Sequence, residues 1–250
     1  MSGTIRVGVG GWTYEPWRGV FYPDKLSQKK ELEYASSKLT SIEINGTYYS
    51  TFKPDSWMKW RDETPEGFVF SVKASRYCTN RKVLSDMGES MGRFLDQGLT
   101  ALGDKLGPIN WQFMGTKKFD AEDFEGFLKL LPKEKDGVQL RHALEVRNGT
   151  FETEQFYDLA RKYGVAIVYG HDDEAPEWPR IDQDTADFRY ARLMSSREDE
   201  LTGMTSAELD GVLKQTRNWA KTGDVFAYFI AGAKVRNPAA AQALIEKLGT

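Results

Sequence analysis

The chain carries one cysteine and two histidines in 250 residues. One thiol cannot close an intramolecular disulfide, and such sparing use suits a reducing compartment, so a cytoplasmic protein is expected. Neither histidine lies near Cys78 in sequence, which favours an inert thiol over a nucleophile. His142 and His171 are too few for a histidine-rich metal centre. A cation held by Glu43, Glu145, His171 and Asp172 is conceivable, but the lysines and arginines among these groups oppose it, and no metal is expected. Long apolar runs are missing too: nothing approaches the roughly 20 residues of a bilayer span, and no basic-then-apolar leader opens the chain. No membrane partner is expected. A net charge of −3 provides no overall basic field, and no arginine-rich run exists, so nucleic acid is a disfavoured partner. Gly8-Val9-Gly10-Gly11-Trp12-Thr13 lacks the third glycine of a dinucleotide fingerprint, and no phosphate-loop lysine motif occurs; no nucleotide cofactor is expected.

What the chain has in quantity is short apolar runs. Eight of them read as strands: Ile5–Gly10, Thr40–Asn45, Phe68–Ala74, Ile109–Phe113, His142–Arg147, Ala166–Gly170, Phe188–Met194 and Val225–Ile230. Amphipathic segments at helical spacing lie between them: Gln28–Leu39, Pro54–Thr64, Asp86–Leu102, Ala121–Leu131, Thr153–Tyr163, Thr205–Lys221 and Pro238–Leu248. Asp120 is placed to cap the fourth and Gly164 to end the fifth. Alternation of strand and helix signals a parallel sheet of right-handed crossovers, and eight pairs favour a closed (β/α)8 barrel of the TIM type. The sixth crossover, Asp172–Asp187, holds Pro176 and Pro179 around Trp178 and is expected to be irregular. No linker or low-complexity tract divides the chain, so residues 1–250 are expected to form one domain.

Several strands end in polar residues that share a face by alternation: Glu43 with Asn45, Ser71 with Lys73, Asn110 with Gln112, Glu145 with Arg147, Tyr190 with Arg192. Burying such groups for packing alone costs stability, so they mark a site at the carboxyl ends of the strands. Glu43 and Glu145 form a candidate acid–base pair, although Lys73, Arg147 and Arg192 would keep both ionised and suit anion binding better. Lys73 can also serve as a Schiff-base nucleophile if burial lowers its pKa. Catalytic roles are therefore assigned to Glu43, Lys73 and Glu145, and substrate contacts to Trp12, Asn45, Gln112, Arg147, His171, Arg192 and Tyr228. In the aromatic first loop, Phe21 and Tyr22 read as packing, while Trp12 and Trp17 are equally suited to packing or to a sugar face. The competing reading of the cluster is a self-neutralising salt-bridge plug in the barrel's upper layer.

With these motifs in hand the chain resembles the YecE-like family, also called domain of unknown function 72. The matching blocks are Val7-Gly8 through Gly11-Trp12 to Trp17-Arg18-Gly19 and Phe21-Tyr22-Pro23, then Ile42–Tyr49, then Thr64–Ala74, then Leu102-Gly103, Leu106-Gly107-Pro108 and Gln112. The resemblance covers essentially the whole chain and implies a TIM-type barrel, with little implied about activity. Position by position it supports Glu43, Asn45, Lys73, Gln112, Glu145, Arg147 and Arg192 as the site. Where family members carry histidine and tryptophan after the fifth strand, Asn148 and Phe151 stand here. Arg192-Leu193-Met194-Ser195 replaces Arg-Leu-His-Gly, Tyr228-Phe229-Ile230-Ala231 replaces an asparagine-rich stretch, and Gln112-Phe113-Met114-Gly115 replaces Gln-Leu-Pro-Pro. A divergent branch is implied. The expected function is that of an enzyme (hydrolase, lyase or isomerase) acting on a small anionic or sugar-like, polyol-bearing metabolite. The alternatives are a non-catalytic module binding nucleic acid or a phosphorylated ligand, or a degenerate barrel kept as an interaction scaffold.

Overall fold

The computed structural model describes residues 2–172 and 175–249. Nine strand segments join into one parallel sheet whose two end segments, Ala166–Ile167 and Tyr169–His171, are consecutive pieces of one strand. The first piece pairs with the fifth strand and the second with the seventh, so the sheet closes on itself as a barrel. The strands are β1 Ile5–Gly10, β2 Ser41–Ile44, β3 Val69–Lys73, β4 Leu106–Gln112, β5 His142–Glu145, the two-piece β6, β7 Phe188–Leu193 and β8 Asp224–Phe229. Around them lie α1 Glu31–Ser36, α2 Pro54–Asp62, α3 Gly88–Leu95, α4 Ala121–Leu130, α5 Glu154–Tyr163, α6 Ser206–Trp219 and α7 Asn237–Leu248. This is the expected TIM-type architecture, and among the described residues no helix lies between His171 and Phe188. Among them, too, no helix is long and apolar enough to cross a membrane.

Local chemistry explains most boundaries. Asp120 accepts from the Asp123 amide at the start of α4, and Gly164 adopts φ 65° beyond α5. Thr205 and Glu208 form a reciprocal capping box on α6. Three expectations need correction. The segment Asp86–Leu102 is not one helix: α3 ends at Leu95, Gly98 turns left-handed with φ 100°, and 3-10 turns follow over Leu99–Lys105. β4 begins at Leu106 rather than Ile109, because Gly107 and Pro108 occupy a register shift between Phe70 and Val72 of β3. A bulge tolerates proline's missing N–H, and a Cβ at Gly107 would lie 2.9 Å from the Phe70 carbonyl. The first helix is also shorter than its pattern, with a 3-10 turn at Gln28–Lys30 before α1.

Apolar packing falls into two bodies. The larger fills the sleeve between strands and helices, including Trp57, Trp111, Phe124, Phe127 and Leu244; the smaller fills the barrel with Val69, Ala143, Phe188, Tyr190, Phe226 and Tyr228. At the amino-terminal end, Asp224 receives Arg141 at 3.1 Å and Arg6 at 3.4 Å, and both guanidinium groups lie over the Phe226 ring. Charge and π-face together seal that end. In the sleeve, Trp111 Nε1 donates to His142 Nδ1 at 3.1 Å, while Nε2 faces the Pro132 carbonyl at 2.8 Å. An indole only donates, so His142 is neutral with its proton on Nε2. Burial lowers its pKa from 6.5 to about 4.

This histidine makes the fold acid-sensitive. The unfolded chain takes up its proton near pH 6.5, the folded chain only near 4, so stability falls as pH drops through that interval. The full effect is about 3 kcal/mol. In urea denaturation, the stability of the natural chain over His142→Gln should shrink by about that amount between pH 7 and pH 4; a pH-independent difference would contradict it.

Candidate functional site

The barrel's carboxyl-terminal end is built around one guanidinium. Arg192, near the end of β7, donates from Nη1 to both oxygens of Glu145 at 2.8 Å each, and from Nη2 to Glu43 Oε1 at 3.2 Å. β2 and β5 deliver the two carboxylates from different sides of the barrel. All three side chains are at most 4% exposed. Glu43 Oε2 also accepts from the Tyr190 hydroxyl, and Asn110 donates to Glu145 Oε2 at 3.1 Å and to Glu43 Oε2 at 3.4 Å. Arg147 adds Nε and Nη2 to Glu145 Oε1 at 2.9 and 2.6 Å, with Gln112 at 3.2 Å. Burying these charges is tolerable because nearly every carboxylate lone pair meets a donor.

Electrostatics follow from that geometry. Burial alone would raise the Glu145 carboxyl, but Arg192, Arg147 and Lys73, with the Asn110 amide, hold it well below the usual range. Arg192 is pulled down by burial and pushed up more strongly by Glu145 and Glu43, so its charge is permanent. Burial and the Glu43 carboxylate push the Tyr190 hydroxyl far above its ordinary value. Glu145 is therefore anionic across the neutral range and unsuited to open a reaction as an acid.

Lys73 differs from its neighbours. It is 9% exposed, and among the described residues its ammonium makes no hydrogen bond or ion pair, only a contact over the Tyr48 ring at 4.6 Å. Burial, reinforced by Arg192 and opposed by Glu145 and Glu43, lowers its pKa to about 8.

Of the residues singled out from sequence, the fold brings Glu43, Lys73, Gln112, Glu145, Arg147 and Arg192 to the same end of the barrel. Asn45 lies at its edge, with Nδ2 3.4 Å from the Glu43 carbonyl and Oδ1 buried without a partner. Tyr228 belongs to the floor, fully buried between Ser41 at 2.7 Å and Ser71 at 2.6 Å. Trp12 is not drawn into the network: it packs edge-on against Trp60 at 5.1 Å and near Phe70 at 6.2 Å. The His171 side chain lies outside the described residues. Cys78 is buried, its thiol pushed up to about 12, as an inert core group should be. Tyr190 and Asn110 have no role in the sequence reading, although alternation pairs them on one face with Arg192 and Gln112. Tyr48 and Trp178 carried no periodic signal at all. Trp178 stacks on Arg147 at 4.0 Å and helps line a crevice of about 10 Å³ over Glu145, room for about one water. Among the described residues no three His, Cys, Asp or Glu side chains are grouped to hold a metal; between Glu43 and Glu145 stands Arg192.

A family profile described as "Protein of unknown function DUF72" matches residues 6–250. The UPF0759 protein YunF of Bacillus subtilis is 28% identical over 173 residues, 67% of this chain but only 59% of that relative's length. A crystal structure of a DUF72 family protein from Thermotoga maritima superposes with a TM-score of 0.80 at 22% identity, covering 99% of this chain and 100% of the other. Another, from Enterococcus faecalis, gives 0.75 at 16% identity, with 99% and 98% covered. These likenesses speak to the fold.

Removing Arg192 should leave two buried carboxylates facing each other. Arg192→Met is expected to lose about 3–5 kcal/mol in denaturant unfolding. Adding Glu43→Gln and Glu145→Gln to it should recover most of that loss. A stable single variant would show that the guanidinium does not hold the cluster together.

Proposed function

The chain belongs to the DUF72 family, and we propose that it is an enzyme acting on a small anionic or polyol-bearing carbonyl metabolite through a Schiff base on Lys73. One observation carries this reading: an amine held in the barrel mouth, unpaired among the described residues, with its pKa brought down to about 8. An amine with that pKa is partly neutral at physiological pH, where an exposed lysine is almost wholly protonated. The neutral nitrogen attacks the carbonyl carbon, a proton moves from nitrogen to oxygen, the carbinolamine loses water to leave an imine, and a proton taken from solvent converts this to the iminium, an electron sink. Arg192, Glu43 and Glu145, fixed before substrate arrives, supply a field that needs no reorganisation as charge develops.

Substrate preference follows from what is still free. Arg147 uses Nε and Nη2 on Glu145, and its Nη1 makes no hydrogen bond among the described residues. It is therefore available for an anionic group. The amide oxygens of Asn45 and Asn110 are buried without partners and can accept from substrate hydroxyls. The crevice beside the Arg147–Trp178 stack reaches Glu145 and admits no more than about one water, so on this reading that stack parts to let substrate in. That tight closure also favours the second reading, a purely structural plug.

Incubation with glyceraldehyde and cyanoborohydride, followed by peptide mapping, separates the two. Lys73 should be alkylated ahead of the exposed lysines, faster in Trp178→Ala, and Lys73→Met should lose the fast phase. If Lys73 stays unmodified even in Trp178→Ala, while surface lysines react, the amine is structural.

A further inference from the structure

Among the described residues no helix follows β6, and a vacancy lies there on the outside of the barrel, away from the charged mouth. Alternation turns Ala191, Leu193 and Ser195 outward from β7 and its extension. All three line a cavity of about 270 Å³, walled by Met204, Val212 and Trp219 around α6. Outward-facing Tyr169 closes one side, its ring 5.2 Å from Trp219.

A buried, unpartnered hydroxyl sets this cavity apart from an ordinary packing defect. Ser195 is 8% exposed, and its Oγ is buried with no hydrogen-bond partner. An unsatisfied hydroxyl in such a place is costly unless something binds it.

We infer that this cavity is a binding site for a small neutral molecule, a ring or compact hydrocarbon bearing one hydroxyl or carbonyl. The ring lies among Leu193, Val212 and Trp219, and the polar group meets Ser195 Oγ. Charge argues for neutrality: among the described side chains no lysine, arginine or histidine lines the cavity. The carboxylate among its described lining residues, Glu208, is already held by Arg197 at 2.9 and 2.7 Å and by Thr205. Gln215 and Trp219 are likewise committed, both donating to Asp182. The size is adequate, since a dry apolar cavity of about 150 Å³ accepts benzene.

Phenol and benzene are matched probes, differing by the group Ser195 would hold. Phenol should bind saturably in a protein-observed NMR titration, with shifts confined to the surroundings of Leu193, Ser195 and Trp219. Val212→Phe enlarges a half-buried wall residue into the cavity and should abolish binding in a folded protein. Ser195→Ala should reduce phenol affinity several-fold and leave benzene unchanged, with no loss of thermal stability. Absence of saturable binding, or phenol binding indifferent to Val212→Phe, would overturn the assignment.

Discussion

The grip of Arg192 on two carboxylates from different strands is the constraint on which the barrel's upper layer depends. Three ionised groups, at most 4% exposed, are brought out of water together. Their desolvation is offset only because the guanidinium spans Glu145 with two 2.8 Å bonds and still reaches Glu43. Asn110, Gln112, Arg147 and Tyr190 complete the acceptor shells around that centre. A barrel interior needs no such arrangement for strength. Well-packed hydrophobic residues of similar volume would be as stabilising or more so, and Val69, Phe188 and Phe226 already fill the layers below in that manner.

That contrast gives the site its chemical character. Positive charge from Arg192 and Arg147 is spent on Glu145, holding it anionic, and the same Arg192 opposes a second protonated group nearby. Lys73 is that group, and burial together with Arg192 makes its ammonium unusually acidic. The surrounding ion pairs thus act on the lysine through their field rather than through contact, which is why they must be rigid. The Tyr48 ring over the amine fits either protonation state better than a carboxylate partner would.

Much of this was legible in the chain. Period-two alternation turned Glu43, Lys73 and Glu145 inward and put Gln112 on one face with Asn110 and Arg192 with Tyr190, leaving open which way strands four and seven faced, and eight strand–helix pairs favoured a closed parallel barrel. What stayed hidden had local causes. The break after Leu95 comes from Gly98, a single residue inside an otherwise continuous apolar stripe. The early start of β4 depends on a register shift between Phe70 and Val72 of β3, which no pattern on one strand can show. Trp12 was ambiguous because an aromatic loop needs its own packing, and Trp60 supplies a partner only in three dimensions. Trp178 lies in an irregular crossover, so nothing in its spacing tied it to Arg147.

The central claim is that a fixed network of buried charges leaves Lys73 with an easily lost proton. An NMR titration of its side-chain amine, assigned by comparison with Lys73→Arg, measures that proton directly. The account predicts a midpoint near 8, and a midpoint at the ordinary 10.5 would contradict it.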